Sequence, residues 1–215
     1  MPHLIIHRGI VNKQCKENHL KSFKESFKKG FGIETDINAT KDHEFICFHD
    51  FTLNRIFKKT GSVKNMKYSQ IKEISNKNKK PIPLLKDLIK ISKNKYSLFI
   101  EIKPTFTKKI LKKLLKETSK FSKCIFISFK HKNIYDLLRI KSNTKVGLSF
   151  SSPTSIKTII KKSNNKKIDC LILDKFFLKN KNIQDLKIKK YYYTIKTKSE
   201  FNKYSKNNNL IFENL

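Results

Sequence analysis

Eight short, apolar, β-prone runs alternate with amphipathic helical patterns, and that alternation limits the fold more than any other feature. The runs are Leu4–His7, Gly32–Ile37, Phe45–His49, Leu98–Lys103, Cys124–Phe129, Val146–Phe150, Cys170–Asp174 and Tyr191–Ile195. Between most of them apolar residues recur at helical spacing, as in Leu20, Phe23 and Phe27, in Leu84, Leu85, Leu88 and Ile89, and in Ile110, Leu111, Leu114 and Leu115. Ile134, Leu137 and Leu138 mark another helix, Ile156, Ile159 and Ile160 one more, and Phe201 with Tyr204 a short last one. Strands interleaved with helices form a parallel sheet clothed by helices. Eight of them predict an α/β fold of the closed TIM-type (β/α)8 barrel kind rather than an open sheet.

The alternation breaks once. The second and third runs are joined by a few residues around Lys41-Asp42, too few for a crossover helix. The stretch from Phe51 to Pro83 carries Thr60-Gly61-Ser62 and Pro81-Ile82-Pro83, and is expected to form a short irregular insertion after the third strand, flanking the site. A barrel of 215 residues is compact, because about 250 is typical. A single domain over residues 1–215 is therefore expected, with no internal repeat and no linker.

Chemistry gathers at the ends of four runs: His7-Arg8-Gly9, Glu34-Thr35-Asp36, His49-Asp50 and Glu101-Ile102-Lys103. A strand alternates faces with period two, so Glu34 and Asp36 share one face, as do Glu101 and Lys103. Two histidines, three carboxylates and two cations at strand ends predict a metal-assisted site for a phosphate-bearing substrate. The bland alternative is an ion network in which Glu34 and Asp36 pair with Arg8 and Lys103. Burying that many charges without a ligand is costly, which favours the metal site. Oxygen-only ligands suit one hard divalent cation, Mg²⁺ or Ca²⁺, better than zinc. His3, His43 and His131 lack such context and are expected at the surface. Asp50 is placed to orient His49 or to cap the next loop, and Asp174 with Lys175 to line the pocket or an ordinary loop.

The formal net charge is +32, from 49 Lys and Arg against 17 Asp and Glu. An anionic partner would explain it, whether nucleic acid, membrane or phosphate substrate. So would residue usage, since Lys, Asn and Ile are enriched together throughout. Lys77-Asn78-Lys79-Lys80, Lys112-Lys113 and Lys161-Lys162 fall in expected loops or on solvated helix faces, and no element carries a basic stripe interleaved with aromatics. Usage is the favoured explanation, and no specific nucleic acid partner is expected. Cys15, Cys47, Cys124 and Cys170 are scattered and form no CxxC pair, which fits reduced thiols inside a cell. No apolar stretch approaches 18 residues, so no membrane anchor and a cytoplasmic location are expected. The oligomeric state is left open.

With these residues in hand, the chain resembles the glycerophosphodiester phosphodiesterase family. The stretches that carry the resemblance are His7-Arg8-Gly9, Glu17-Asn18, Gly32-Ile33-Glu34-Thr35-Asp36-Ile37, Thr40-Lys41-Asp42, His49-Asp50 with Leu53 and Arg55, Ile82-Pro83-Leu84 and Glu101-Ile102-Lys103. It is close over residues 3–103 and thinner beyond, where Ser128-Phe129 and Tyr193-Thr194-Ile195 continue it. The resemblance implies a barrel that hydrolyses glycerophosphodiesters to glycerol phosphate and an alcohol. It implies Glu34, Asp36 and Glu101 as metal ligands and His7 and His49 as the acid–base pair. It further implies Arg8, Lys103 and Asn18 as substrate-binding groups, with Tyr193 and Asp50 as candidates for the pocket wall. The expected partner is a small-molecule phosphodiester. The chain departs from the family at His19, where Thr is usual, and at Tyr193, where Trp is frequent. It also departs at Leu210-Ile211-Phe212-Glu213-Asn214, where an Asp and a Pro usually follow a Thr. A related phospholipase D-type enzyme acting on lysophospholipids is the nearest alternative, and a basic polyanion-binding protein is the alternative of another class.

Overall fold

The structure, a computed structural model, describes residues 3–213. Nine strands form one sheet: β1 (Leu4–His7), β2 (Gly32–Ala39), β3 (Phe45–Cys47), β4 (Leu98–Ile102), β5 (Cys124–Ser128), β6 (Val146–Phe150), β7 (Cys170–Asp174), β8 (Lys189–Ile195) and β9 (Asn209–Phe212). The helices are α1 (Leu20–Lys28), α2 (Asn54–Phe57), α3 (Tyr68–Lys77), α4 (Leu85–Ser92), α5 (Lys108–Thr118), α6 (His131–Ile140), α7 (Ile156–Ser163), α8 (Lys181–Gln184) and α9 (Lys198–Tyr204). The order around the sheet is β1-β9-β8-β7-β6-β5-β4-β2, and β1 pairs with β2, so eight parallel strands close into a barrel. This is the TIM-type architecture expected from the alternation.

The membership of the ring differs from the sequence reading. The run at Phe45–Cys47 is not a stave but a short strand antiparallel to β2, in register Ile37 to Cys47 and Ala39 to Phe45. The eighth stave is instead β9, which sequence reading left unassigned. Asn214, the end of the departing C-terminal motif, lies outside the described residues. The expected irregular insertion also holds regular structure, since α2, α3 and a 3₁₀ turn at Val63–Asn65 occupy it. Ile46, Leu53, Val63, Ile71 and Ile82 are buried together there as a satellite core of their own.

Period-two alternation divides each stave between two cores. Ile33, Ile37, Leu98, Ile100, Ile102, Leu148 and Leu171 pack outward under the helices, against residues such as Phe23, Leu88, Leu111 and Leu137. Ile5, Phe99, Ile127, Cys170, Ile172, Tyr191 and Ile211 face one another inside the barrel, with the Phe99 and Tyr191 rings 4.6 Å apart. These inward residues plug the lower barrel. The next inward position along each strand, two residues on, therefore reaches the C-terminal mouth.

At the first such mouth the chain must turn at once. Arg8 (φ +56°) and Gly9 (φ +77°) are both left-handed, which breaks β1 and sends the chain outward toward α1. A Cβ at Gly9 would stand 2.8 Å from Ser22 Cβ and 3.1 Å from the Ser22 backbone carbon, so this turn takes glycine for its φ and for the close approach of α1. Gly9→Ala is expected to lower unfolding free energy by about 1–3 kcal/mol, read as a drop in the chemical-denaturation midpoint; an unchanged midpoint would contradict this account of the turn.

Candidate active site

The site follows directly from the inward register. Two residues beyond Ile5 stands His7; beyond Gly32 stand Glu34 and Asp36; beyond Phe99 stand Glu101 and Lys103; beyond Tyr191 stands Tyr193; beyond Ile211 stands Glu213. His7, Arg8, Glu34, His49, Glu101, Lys103 and Tyr193 line one cavity of about 210 Å³ at the barrel mouth, together with Phe129 and Ser149. His49 arrives differently. After the β2–β3 hairpin the chain descends, the Phe48 amide bonds the Asp36 carbonyl at 3.0 Å, and His49 lands beside the carboxylates.

Glu34, Asp36 and Glu101 are buried and each offers an oxygen within 4.8 Å of the others. Arg8 Nε lies 2.9 Å from Asp36 Oδ2, an ionic contact off the hydrogen-bonding direction. Lys103 Nζ lies 2.9 Å from Glu101 Oε1 and 3.5 Å from Asp36 Oδ1. Burial, and then the charges of Asp36 and Glu101, push the Glu34 carboxyl well above its usual range. Burial and Asp36 push Glu101 up to about 6. Burial would raise Asp36 too, but Arg8 and Lys103 outweigh it and hold this carboxylate below its usual range. Glu34 Oε2 and Asp36 Oδ1 are buried with no hydrogen-bond partner among the described residues. Unpartnered buried acceptors in an all-oxygen donor set fit a hard divalent cation.

Each histidine is backed by a carboxylate. His7 Nδ1 is 2.8 Å from Glu213 Oε2, and His49 Nδ1 is 2.7 Å from Asp50 Oδ1. An ionised carboxylate can only accept, so Nδ1 donates in both pairs and each ring keeps Nε2 as its basic nitrogen. His7 Nε2 stands 3.8 Å from Glu34 Oε2. Burial lowers the His49 pKa below its ordinary value despite Asp36 and Asp50. Asp50 Oδ2 accepts from Arg55 Nε at 2.6 Å, and Arg55 reaches on to Glu17 at 2.5 Å, which in turn contacts Arg8. The insertion is thereby tied to the turn that carries Arg8.

Asn18 and Asp50 stand around the mouth cavity rather than in its lining. Asn18 lies behind the mouth cavity, buried, with Nδ2 donating to Asp36 Oδ2 at 3.2 Å and Oδ1 accepting from Thr35 at 2.8 Å. Its amide thus links Thr35 to the Asp36 carboxylate across β2. Asp50 is not in the cavity wall; it holds His49, one of the two alternatives the sequence offered for it. Tyr193 does line the cavity, with its hydroxyl donating to the Phe150 carbonyl at 3.0 Å. Asp174 is outside the wall and caps the Phe176 amide at 2.8 Å. His131 is not a plain surface residue: its Nε2 lies 2.9 Å from the Ser149 carbonyl and its ring packs on Phe150. His19, the departure from the usual Thr, caps α1 by accepting the Lys21 amide at 3.1 Å.

Sequence reading missed Glu213 and Ser149. Both follow an inward residue by two, Ile211 and Gly147, which is the signal that would have found them. Ser149 Oγ is buried at the cavity with no partner among the described residues.

A closed barrel with a buried acidic triad and two carboxylate-backed histidines at its mouth defines a (β/α)8 protein equipped to hold a hard cation beside acid–base groups. The glycerophosphoryl diester phosphodiesterase family model matches residues 7–210, and the chain belongs to that family. A glycerophosphodiester phosphodiesterase from Caldanaerobacter subterraneus subsp. tengcongensis is 30% identical over 162 residues, covering 68% of this chain and 66% of that protein. One from Bacillus altitudinis is 29% identical over 110 residues, covering 47% of this chain and 44% of the relative. The matches thus span less than two thirds of these curated relatives. The fold is similar to that of the glycerophosphodiester phosphodiesterase of Thermotoga maritima, with TM-score 0.82, 21% identity and coverage of 99% and 94%. It is also similar to a phosphodiesterase from Oleispira antarctica solved with its product sn-glycerol-3-phosphate, with TM-score 0.83, 20% identity and coverage of 99% and 92%.

The Glu213 carboxyl is held down to about 2, chiefly by the hydrogen bond from His7, against an ordinary 4.5. A depressed carboxylate stabilises the fold above its unfolded pKa, and that contribution is lost as pH falls through the folded one. Glu213→Gln is therefore expected to lower the melting temperature at neutral pH, with the gap to the parent closing as pH drops from 4.5 toward 2. Circular dichroism melts across that range check it; a gap independent of pH would contradict the pairing.

Proposed function

We propose that the chain hydrolyses glycerophosphodiesters to glycerol phosphate and an alcohol, using one divalent cation and the His7–His49 pair. The observation that carries this reading is the convergence in one cavity of two histidines, each braced at Nδ1 by a carboxylate, around three buried carboxylates. Family membership and the product-bound relative from Oleispira antarctica support the substrate class.

Glu34, Asp36 and Glu101 would hold the cation, Mg²⁺ or Ca²⁺. When bound, it supplies polarisation of the phosphoryl oxygen and neutralises developing negative charge. Arg8 grips phosphate oxygens through two donors and Lys103 adds a point charge. Asn18 fixes Asp36 from behind. Displacement at phosphorus needs one group to take a proton from the nucleophile and another to give one to the leaving alkoxide. Histidines titrate near neutrality and divide those tasks, with Nε2 as the working nitrogen of each. Four buried, unpaired cysteines support a location inside the cell. No helix among the described residues is long and apolar enough to cross a membrane.

Isothermal calorimetry with Mg²⁺ and with Ca²⁺ is expected to give one site, lost in the Glu34→Ala, Asp36→Ala double variant; retained affinity would overturn the ligand assignment. His49→Ala is expected to cut turnover about 10²–10⁴-fold with an almost unchanged melting temperature. A metal-dependence screen of glycerophosphocholine, glycerophosphoethanolamine and lysophospholipids, scored by released alcohol, tests the substrate class. Absence of any release with either metal would overturn it.

A further inference from the structure

Among the described residues, three large hydrophobic side chains are exposed: Phe51 at 51%, Phe129 at 41% and Phe176 at 71%. All three stand at one end of the barrel. Phe129 directly follows β5, Phe176 follows the end of β7 by two residues, and Phe51 follows His49 by two. None of these three stands at the opposite end, so among the described residues the most exposed large apolar side chains form a rim around the cavity mouth. Phe129 also lines the cavity and meets Tyr193 edge-on at 5.8 Å.

The rim lies in a strongly positive surface. Exposed Lys130 adjoins Phe129, exposed Lys179 follows Phe176, and exposed Lys58 and Lys59 belong to the insertion that begins near Phe51. Lysines such as Lys29, Lys93, Lys123 and Lys145 are exposed at the other end as well. A net charge of +32 thus draws the molecule to any anionic surface, while only the phenylalanines choose which end meets it. The three rings sit on separate loops around an open cavity. A protein partner covering all of them would seal that cavity. A fluid headgroup layer admits each ring independently and brings phosphodiesters to the opening.

We propose that the barrel mouth docks on anionic phospholipid surfaces, with Phe51, Phe129 and Phe176 entering the headgroup layer and the neighbouring lysines meeting lipid phosphates. Attachment combines buried apolar area with attraction to anionic lipid, the balance that holds interfacial proteins in place without a spanning segment. Docking does not depend on the hydrolytic reading and is measured without turnover.

Vesicle flotation tests it with equal parts phosphatidylglycerol and phosphatidylcholine, against pure phosphatidylcholine. The parent is expected to float with the anionic vesicles, less so at high salt. The Phe51→Ser, Phe176→Ser double variant is expected to lose on the order of tenfold or more in affinity while keeping its melting temperature. Because the chain has no tryptophan, a Phe176→Trp variant supplies a second and independent reading: its emission should shift to the blue with anionic vesicles. Failure of the parent to float, equal flotation of the double variant, or no shift in Phe176→Trp would each overturn the proposal. So would displacement of parent and double variant alike by excess duplex DNA, which would mean that the surface is merely a polyanion sink.

Discussion

Mutual repulsion among Glu34, Asp36 and Glu101 is the constraint around which the mouth is built. Three carboxylates within 4.8 Å of one another and out of water would eject one another were nothing positive beside them. Arg8 and Lys103 supply that balance, and their placement dictates much else. Arg8 reaches Asp36 only because β1 breaks into a left-handed turn, and that turn in turn brings Glu17 and Asn18 over β2. Lys103 comes from the same strand face as Glu101, so one stave carries both a charge and part of its compensation. Three carboxylates face two cations, and burial together with the neighbouring carboxylates raises the Glu34 and Glu101 pKa values.

The two histidines solve one problem by unlike routes. His7 sits on a barrel stave and takes its carboxylate from the far end of the chain. His49 sits on a descending segment and takes its carboxylate from the adjacent residue. The second pair is shorter in sequence but needs outside support, since Arg55 of the insertion anchors Asp50 and is itself held by Glu17. The insertion therefore braces His49 as well as covering a flank, and its separate buried core gives Arg55 a firm base.

Much of this was legible in the residues because charge at a strand end breaks the apolar pattern that surrounds it. Glu34-Thr35-Asp36 and Glu101-Ile102-Lys103 stand out against Ile33, Ile37 and Ile100. The barrel was legible for the same reason in reverse, since each run alternates with a helix of clear periodicity. What failed was local strength. Leu210-Ile211-Phe212 is a brief run after a polar stretch, and only its place between β1 and β8 makes it a stave. Phe45-Ile46-Cys47 is as apolar as a stave, yet a short hairpin forces it antiparallel. Misassigning those two hid Glu213, whose role appears only once Ile211 is known to face inward. Tyr68, Ile71 and Ile74 carried the helical spacing of α3, obscured by the lysines and asparagines around them. Asn18 was placed at the cavity by its motif, and only coordinates reveal that Asp36 and Thr35 occupy its amide.

Closure between β1 and β9 carries a temporal consequence. His7 leaves the ribosome 206 positions ahead of Glu213. Domains fold largely as units, so the staves that carry Glu34, Asp36 and His49 leave the ribosome well before the ring can close. Until β9 slots beside β1, His7 has no acceptor to fix its tautomer, and the acidic triad faces an open edge. A chain interrupted late in synthesis would hold most of the chemistry yet lack an aligned His7. The geometry makes the His7–Glu213 pair contingent on closure of the ring, so β9 fixes the imidazole that β1 presents.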